Sequence, residues 1–248
     1  MRIGLFGFGR TGRSVASVLL ENDDVTLSWV IRKSKTLHHR SVPEFLGVEA
    51  DEQGLIFTKD EFEIRELLDS YPVDVIIDFS SEEALRYYGA EAARRGIIIV
   101  SAISSYSAQT IRLLKRLSHK TRVLWSPNIT IGINFLIVAA KALKKIAPYA
   151  DIEIVEEHFA KKKETSGTAK VIARSLEKPI ERINSIRAGG IIGRHEILFG
   201  FPHQTVRLSH ESISREAFGN GVLFAAMNLA SQPNGLYTME DLLAPYFQ

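Results

Sequence analysis

The sequence predicts an α/β protein: a Rossmann-like, doubly wound parallel sheet, plus an α+β domain with a mixed or antiparallel sheet. Two observations predict this class. As far as Trp125, continuous apolar runs of the kind found in buried parallel strands alternate with helical segments. Beyond it, short segments of alternating polar and apolar residues follow one another without intervening helices. We expect one domain from residues 1–129 with 215–248, and a second from residues 130–214.

Apolar runs predict the strands of the first domain. Ile3–Phe6 is bounded by glycines, and Val25–Ile31 is rich in β-branched and aromatic residues. Further strands are predicted at 73–79, 97–100 and 123–125. Helical spacing of apolar residues, or helix-favouring composition, predicts helices at 10–21, 61–68, 82–95 and 107–118. This alternation is typical of a parallel sheet that is covered by helices on both faces.

The second half of the chain has a different pattern. Asn134–Ile146 is strongly apolar and helical, whereas Asp151–Glu157 alternates charged with apolar residues, as half-buried strands do. A helix is predicted at about 168–176, followed by strands at 183–188, 196–200 and 205–212. Helices return at 221–230 and from Thr238, a capping residue. The strands without helices between them predict a mostly antiparallel sheet.

Composition narrows the possible functions. The 248 residues include no cysteine, which excludes disulfides, a thiolate nucleophile and a cysteine-ligated metal. A formal net charge of +2 is too small to suggest nucleic-acid binding, and no apolar run is long enough to span a membrane. The N-terminus lacks the features of a signal peptide. We expect a soluble cytoplasmic protein with neither nucleic acid nor membrane as partner.

A glycine-rich segment follows the first predicted strand. Gly7-Phe8-Gly9-Arg10-Thr11-Gly12 has the spacing G-x-G-x-x-G and leads into a helix, which is the context that gives this motif its meaning. Glycines permit a tight turn and close approach of the backbone to a pyrophosphate, and the helix N-terminus supplies N–H donors. The segment predicts a dinucleotide site, although a plain glycine-rich turn is the alternative.

The end of the second strand indicates which dinucleotide is bound. A site that prefers NAD places a carboxylate there, but this chain has Arg32 and Lys33 and no acid. Guanidinium and ammonium groups suit a 2′-phosphate, so we expect NADPH, with NADH possible. A solvated basic loop is the alternative. His38 and His39 extend this stretch and are interpreted as surface residues; no spacing of potential ligands in the chain indicates a metal site.

A second basic segment joins a predicted strand to a predicted helix. His158 is followed by a run of lysines that includes Lys162, and Ser166-Gly167-Thr168 then opens the helix. Lysine charge and helix N–H groups both favour an anion such as a carboxylate. His158 is the nearby side chain that could relay a proton near neutral pH. The alternative is a solvated lysine run before an ordinary capped helix.

These motifs resemble the dihydrodipicolinate reductase (4-hydroxy-tetrahydrodipicolinate reductase) family of lysine and diaminopimelate biosynthesis. That family has a glycine loop, a D-F-[ST] segment and an A-N-F-S-x-G-x-N hinge. Its further motifs are E-x-H-H-x-x-K-x-D-x-P-S-G-T-A and R-x-G-x-x-x-G-x-H. The matching segments are collinear over nearly the whole chain: 7–12, 78–80, 126–134, 156–169, 187–195 and 218–221.

The resemblance implies a reductase that transfers hydride from NAD(P)H to a cyclic, unsaturated dicarboxylate. It implies that His158 and Lys162 are catalytic proton donors. The residues that it places against the substrate are Phe159, Lys162, Ser166, Gly167 and Thr168. Those that it places at the cofactor, besides the glycine loop, are Phe79, Ala102, Ile103, Ser104, Ser126, Pro127, Asn128 and Ile129. It further implies a homotetramer that assembles through the second domain, which also binds the substrate.

This sequence departs from the family pattern at four places. Phe159 replaces the second histidine of the pair, and Glu164-Thr165 replaces Asp-x-Pro with one residue fewer. Ala102-Ile103-Ser104-Ser105 stands where the family has G-T-T-G, and Ile129 replaces the hinge aromatic. Two other functions therefore stay open: reduction of a related imine or ketone, or NADPH binding without catalysis. Retention of both His158 and Lys162 argues against the second.

Overall fold

The computed structural model describes residues 1–51 and 54–247, which form two compact units. The first unit comprises Met1–Thr130 and Arg215–Leu242, and the second comprises Ile131–Ser214 with the C-terminal residues from Leu243. The residues from Leu243 thus group with the second unit, whereas the sequence analysis assigns all of 215–248 to the first domain. Gln248 lies outside the described residues.

The first unit contains a seven-stranded parallel sheet. Its strands, numbered in chain order, are β1 (Arg2–Phe6), β2 (Thr26–Arg32), β3 (Leu55–Thr58), β4 (Val75–Asp78), β5 (Ile98–Ser101), β6 (Arg122–Trp125) and β11 (Gly235–Tyr237). Their spatial order is β11-β6-β5-β4-β1-β2-β3, and every neighbouring pair is parallel. The order reverses between β1 and β4, and doubly wound sheets bind ligands at such a switch point. The predicted Rossmann-like sheet is confirmed.

Helices accompany the strands of this unit. They are α1 (Arg10–Leu20), α2 (Val42–Leu46), α3 (Ile64–Ser70), α4 (Glu82–Arg94), α5 (Ala108–Leu117) and α8 (Glu216–Leu229). A short helix α9 (Met239–Leu243) begins in the first unit and ends one residue beyond it. Aromatic residues form much of the core: the buried rings of Phe6 and Trp29 meet edge to face with centroids 5.5 Å apart, and Phe6 stacks on Tyr88. The apolar strands and the inner helix faces thus share one core.

The sequence prediction lacks the α-helix α2 and the strands β3 and β11 of the first unit, and α8 begins at Glu216 rather than at Gly221. Two glycines in the first turns of α8 allow close packing. A Cβ on Gly219 would lie 2.6 Å from Cβ of Val18 in α1, and one on Gly221 would lie 2.0 Å from the Ile129 oxygen. The helix therefore rests directly on α1 and on the segment that follows β6.

The second unit is an α+β structure. Its elements are α6 (Ile131–Ile146), β7 (Asp151–His158), α7 (Gly167–Ser175), β8 (Ile183–Arg187), β9 (Arg194–Gly200) and β10 (Thr205–Glu211). The four-stranded sheet has the order β10-β9-β7-β8, in which β7 and β8 are parallel and the other pairs antiparallel. The predicted mixed sheet is confirmed.

Strand β7 carries its buried residues at every second position, as a sheet with one covered face requires. Ile152 and Ile154 are buried in the core, and Glu156 and His158 continue the same face to the end of the strand. The apolar face of β7 therefore ends in a buried carboxylate and a buried imidazole.

Among the described residues, no helix combines the length and the apolar character needed to cross a bilayer.

Candidate active site

The glycine loop joins β1 to α1 in a tight turn. Gly7 has φ +96°, a conformation that L side chains rarely adopt, and its N–H donates to the Ile31 carbonyl at 2.9 Å. A Cβ on Gly12 would lie 1.9 Å from the Gly7 oxygen, so the first turn of α1 can approach the loop only with glycine there. Gly9 caps α1 and faces open space, since a Cβ on it would meet nothing within 4 Å. The loop therefore presents bare backbone at the helix N-terminus.

A cleft of about 740 Å³ opens beside this loop at the carboxyl ends of the strands. Gly7, Phe8, Gly9, Arg32, Lys33 and Phe79, all predicted cofactor residues, line it. Lys59 and Asp60, from the loop after β3, also line it. Nη1 of Arg32 is buried and has no hydrogen-bond partner among the described residues. An unsatisfied guanidinium nitrogen at the cleft fits an anionic ligand.

A smaller cleft of about 300 Å³ shares Phe79 and Ser80 with the first. Predicted cofactor residues line this cleft too: Thr11, Phe79, Ala102, Ile103, Ser104, Pro127 and Ile129. The indole Nε1 of Trp125 donates to the Ile103 carbonyl at 2.9 Å and holds the loop that replaces G-T-T-G. Because they share this wall, the two clefts are neighbours. Arg10, Gly12, Ser126 and Asn128 are not among the residues that line either cleft.

Asp78 lies buried at the end of β4, directly before the wall shared by the clefts. Its carboxylate accepts hydrogen bonds from the N–H and hydroxyl of Ser80, at 2.8 and 2.6 Å, and from Tyr88 at 3.1 Å. Burial raises the pKa of this carboxyl to about 6, although those hydrogen bonds oppose the shift. Asp78 thus fixes the turn into Phe79 and Ser80.

The second unit brings the predicted proton donor against a carboxylate. Nδ1 of His158 contacts Oε2 of Glu156, two residues earlier on the same face of β7. Because an ionised carboxylate can only accept, Nδ1 carries the hydrogen and the ring orientation is set. Nε2 is then on the other edge of the ring, near Gly193, where an added Cβ would lie 3.1 Å away.

Glu156 is the centre of a larger network. Arg187 donates to both carboxylate oxygens, at 2.6 and 3.0 Å, and the Ser185 hydroxyl donates at 2.6 Å. The Ser166 N–H completes the set at 3.4 Å. Burial alone would raise the pKa of Glu156, but the hydrogen bonds from Arg187, Ser185 and His158 outweigh it and lower the pKa to about 2. Glu156 is therefore anionic at neutral pH.

Ser166 connects this network to helix α7. Its hydroxyl oxygen caps the helix by accepting from the Ala169 N–H at 3.4 Å, and it lies 3.0 Å from Nε2 of His195. Burial, followed by the charges of His158 and His210, lowers the pKa of His195 to about 4, so this ring is neutral at pH 7. Nδ1 of His195 has no hydrogen-bond partner among the described residues. His158 and His195 meet edge to face with ring centroids 5.4 Å apart.

The loop between β7 and α7 is held by Arg187. Its Nε donates to the Lys162 carbonyl at 2.9 Å, and Nη2 donates to the Glu164 carbonyl at 3.0 Å. Lys162 is half-buried, whereas Phe159 is 43% exposed. Gly167 and Thr168 form the first turn of α7, and a Cβ on Gly167 would meet nothing within 4 Å. The predicted substrate residues thus share one loop and one helix start.

Sequence reasoning gave no role to Glu156, Arg187 or Ser185. A signal for Glu156 was present, because a charge at an inward position of an alternating strand requires a buried partner. Arg187 supplies that partner from the parallel neighbour β8, which the sequence does not align with β7. A further grouping lies in the first unit. His38 and His39, which the sequence analysis interprets as surface residues outside any metal site, both lie close to Glu61.

A nucleotide-binding fold with a glycine loop, together with a histidine that a carboxylate orients, defines the chain as an NAD(P)H-dependent oxidoreductase. Comparison with known proteins narrows this class. Residues 1–129 match the N-terminal part of dihydrodipicolinate reductase, and residues 129–243 match its C-terminal part. The chain belongs to the dihydrodipicolinate reductase family, as its motifs predict.

Individual relatives agree with this assignment. A 4-hydroxy-tetrahydrodipicolinate reductase of Caldanaerobacter subterraneus is 38% identical over 68% of this chain and 76% of that protein. The enzyme of the same name from Hahella chejuensis is 28% identical over 98% of both chains. At the level of the fold, the chain is similar to the dipicolinate-bound dihydrodipicolinate reductase of Paenisporosarcina sp. TG-14, with a TM-score of 0.78 over 96% of this chain and 97% of that one, at 21% identity.

Proposed function

We propose that this protein is an NADPH-dependent reductase that converts 4-hydroxy-tetrahydrodipicolinate to tetrahydrodipicolinate in lysine and diaminopimelate biosynthesis. The first unit binds the cofactor and the second binds the substrate. The observation that carries the proposal is the buried network in which Glu156 orients His158 beside Ser166, with the loop around Lys162 tied to it by Arg187. A structural ion pair alone does not require an oriented imidazole there.

The choice of NADPH follows from charge. The 2′-phosphate of NADPH would take the unsatisfied guanidinium nitrogen of Arg32, with Lys33 on the same wall of the larger cleft. The pyrophosphate would take the backbone around Gly9 at the start of α1, where a side chain is lacking and N–H groups are free of intrahelical partners. The smaller cleft, lined by Ile103 and Ile129, suits the nicotinamide end. The bound cofactor supplies a hydride.

The proposed conversion balances as loss of the 4-hydroxyl group with a ring hydrogen, as water, and addition of one hydride and one proton to the unsaturated ring. His158 and Lys162 would supply the proton that balances this hydride. Glu156 accepts the Nδ1 hydrogen of His158, so Nε2 is the edge from which a proton can reach a ligand. General acid catalysis of this kind typically contributes about 10²- to 10⁴-fold. His195 stays neutral because its pKa is about 4, so it acts through Ser166 as a hydrogen-bonding group rather than as a charge.

The two carboxylates of the substrate would be bound by complementary charge. The first turn of α7 offers backbone N–H groups and a favourable helix dipole, and the space beside Gly167 is open. The Lys162 ammonium matches the other carboxylate. The family resemblance supports assigning these groups to a dicarboxylate, and the preference of each group for an anion supports it independently of that resemblance.

A homotetramer assembled through the second unit is part of the proposal, as is a cytoplasmic location. Most of the large hydrophobic side chains exposed on the protein belong to the second unit, among them Ile146, Tyr149, Ile192 and Ile213. Exposed apolar surface of this kind marks interaction sites. Analytical ultracentrifugation tests the tetramer directly.

The catalytic proposal is tested by following NADPH oxidation with the product of dihydrodipicolinate synthase as substrate. We expect turnover by the wild-type protein, and a loss of about 10²-fold or more in Lys162→Ala. NADPH affinity, measured by fluorescence titration, should be the same in both proteins because Lys162 belongs to the second unit. Tight NADPH binding without turnover by the wild type would refute the reaction but not the cofactor site.

A second candidate function has one observation in its favour. Phe159 stands where the family has a substrate-contacting histidine, and its ring is 43% exposed beside the catalytic loop. An apolar ring favours a less polar imine or ketone. The same assay with such substrates distinguishes the two: a higher kcat/KM for a monocarboxylate imine than for the dicarboxylate would favour the second candidate.

A further inference from the structure

Two histidines and a glutamate meet at the surface of the first unit. His38 and His39 follow a 3₁₀ turn, Lys35–Leu37, and Glu61 lies just after β3. Nε2 of His38 contacts one carboxylate oxygen of Glu61, and Nε2 of His39 contacts the other. One potential ligand atom from each residue lies within 4.8 Å of the other two.

The surrounding backbone holds this cluster in place. The imidazole rings of His38 and His39 stack with centroids 3.9 Å apart and planes 24° from parallel. His39 has φ +60°, which is uncommon for a residue other than glycine and persists where the surroundings enforce it. Its N–H donates to the Ile56 carbonyl of β3 at 2.8 Å, and its ring meets Phe57 edge-on at 5.6 Å. Glu61 is itself mostly buried, with 17% of its side chain exposed.

We propose that His38, His39 and Glu61 form a binding site for a divalent transition metal ion of the zinc type. Imidazole nitrogen and carboxylate oxygen are ligands that Zn²⁺ accepts, and three protein ligands leave a fourth position for water or an external ligand. The metal ion would lie between the carboxylate and the two Nε2 atoms and replace their direct contacts. Its positive charge would be balanced in part by Glu61.

Such a metal ion would connect two walls of the larger cleft. Lys33 and Ser34, just before the histidines, line one side, and Lys59 and Asp60, just before Glu61, line the other. Holding these segments together would order the part of the cleft that we assign to the 2′-phosphate. We therefore expect metal and NADPH to strengthen each other's binding by the same factor, as linkage requires. This coupling rests on the proposed function, whereas the metal site does not.

The metal site is tested with Zn²⁺ in titration calorimetry and with Co²⁺ in visible absorption, both without nucleotide. The double variant His38→Gln with His39→Gln should bind one ion fewer than the wild type, or bind it roughly 100-fold more weakly, since even outer-sphere losses cost about 10- to 100-fold. Glu61→Gln should weaken the binding of the same metal ion. The matched control removes two exposed histidines elsewhere, His119→Gln with His203→Gln, and should bind like the wild type.

Three outcomes would overturn the site: no ion bound by the wild type, equal binding by the wild type and the His38/His39 variant, or an equal loss in the control. NADPH titration with and without Zn²⁺ then tests the coupling. We expect a severalfold gain in NADPH affinity that disappears in the His38/His39 variant, and an unchanged affinity would overturn the coupling. Absence of NADPH binding under both conditions would instead refute the proposed function and leave the metal result intact.

Discussion

At the scale of single residues, the two sites treat a buried charged group differently: Glu156 in the second unit has partners, whereas a guanidinium nitrogen of Arg32 in the first unit has none among the described residues. Glu156 is fully buried but has Arg187, Ser185 and His158 as partners, and its pKa is low. Arg32 carries a buried guanidinium nitrogen without a partner among the described residues. A buried polar group without a partner costs free energy that a ligand can recover. The two sites therefore differ in what a ligand would add. In the first unit an anion would satisfy the guanidinium of Arg32, whereas in the second unit Glu156 is already paired with His158, the proton donor that we propose.

Replacing Glu156 by Gln should disturb the orientation of the His158 ring without changing the binding of NADPH. The amide has no negative charge to hold the Nδ1 hydrogen of His158, so we expect turnover to fall by roughly 10²-fold and its pH profile to change. NADPH affinity should stay constant. Because Arg187 loses its ion-pair partner, stability should also fall, by about 3 kcal/mol or more.

The matched control for this variant is Ser185→Ala. It removes a hydrogen bond of 2.6 Å to the same carboxylate but leaves the contact of Glu156 with His158. Its turnover should stay within a few-fold of the wild type. If Ser185→Ala and Glu156→Gln lowered kcat alike and neither changed the pH profile, Glu156 would be structural rather than a positioning residue.

Arg32 should decide between the two nicotinamide cofactors. Arg32→Asp places a carboxylate where the 2′-phosphate would bind, and a charge-assisted hydrogen bond is worth about 1.5–3 kcal/mol. We therefore expect NADPH affinity to fall roughly 10- to 100-fold and NADH affinity to change little. Fluorescence titration with both cofactors measures this. Equal losses for NADPH and NADH would contradict the assignment of Arg32.

At the scale of elements, two glycines of one loop have different tasks. Gly12 is required by the fold, because a Cβ there would lie 1.9 Å from the Gly7 oxygen. Gly9 has φ −80° and open space around it, so alanine fits the free protein. The close approach of a ligand to the backbone, as we propose for the pyrophosphate, would explain glycine at this position.

Gly9→Ala should consequently bind NADPH at least about tenfold more weakly while its stability stays within about 1 kcal/mol of the wild type. Gly12→Ala should lose stability as well, since backbone must move to make room. Urea unfolding and NADPH titration of both variants provide the comparison. Normal NADPH binding by Gly9→Ala would contradict the proposal that the pyrophosphate binds at this loop.

The same scale shows what sequence could predict. Strands β1, β2, β4, β5 and β6 were found because buried parallel strands are continuous apolar runs. β11 has three residues and no periodicity of its own, and β3 has four, so both depend on a neighbour already in place. The residues of one loop were enough to suggest His158 as a proton relay, whereas the catalytic role of Lys162 was implied by the family resemblance. The Glu156–Arg187 and His39–Glu61 pairs join residues distant in sequence, which one sequence does not reveal.

At the scale of the whole molecule, two buried carboxyl groups give stability opposite dependences on pH. The pKa of Asp78 in the folded protein is raised to about 6, so its contribution is full at low pH and is lost as pH rises through 6. The pKa of Glu156 is lowered to about 2, so its contribution is present above the unfolded value and lost as pH falls towards 2. Stability should accordingly decline at both ends of this range.

Asp78→Asn should remove the neutral-pH part of this decline. The amide keeps an acceptor for Ser80 and carries no charge to bury. The free energy of unfolding of Asp78→Asn relative to wild type should therefore rise by roughly 3 kcal/mol between about pH 4 and pH 7. The fluorescence of Trp29 and Trp125, both in the first unit, reports its unfolding in urea. A difference that stays constant with pH would show that Asp78 does not titrate in this range.

The packing of Gly221 against Ile129 suggests how the first unit could be made as a separate, shorter nucleotide-binding protein. The chain leaves the first unit after Thr130 and returns to it at Arg215. Ile129, just before the first point, packs against Gly221, which follows the second point in the same unit. A fragment that stopped at Thr130 would lack β11 and would leave Val18 of α1 without its covering helix. Splicing Thr130 to Arg215 through a few glycine and serine residues would restore both β11 and the covering helix. The resulting chain would be about two-thirds as long and would retain the glycine loop, Arg32 and the Asp78 turn.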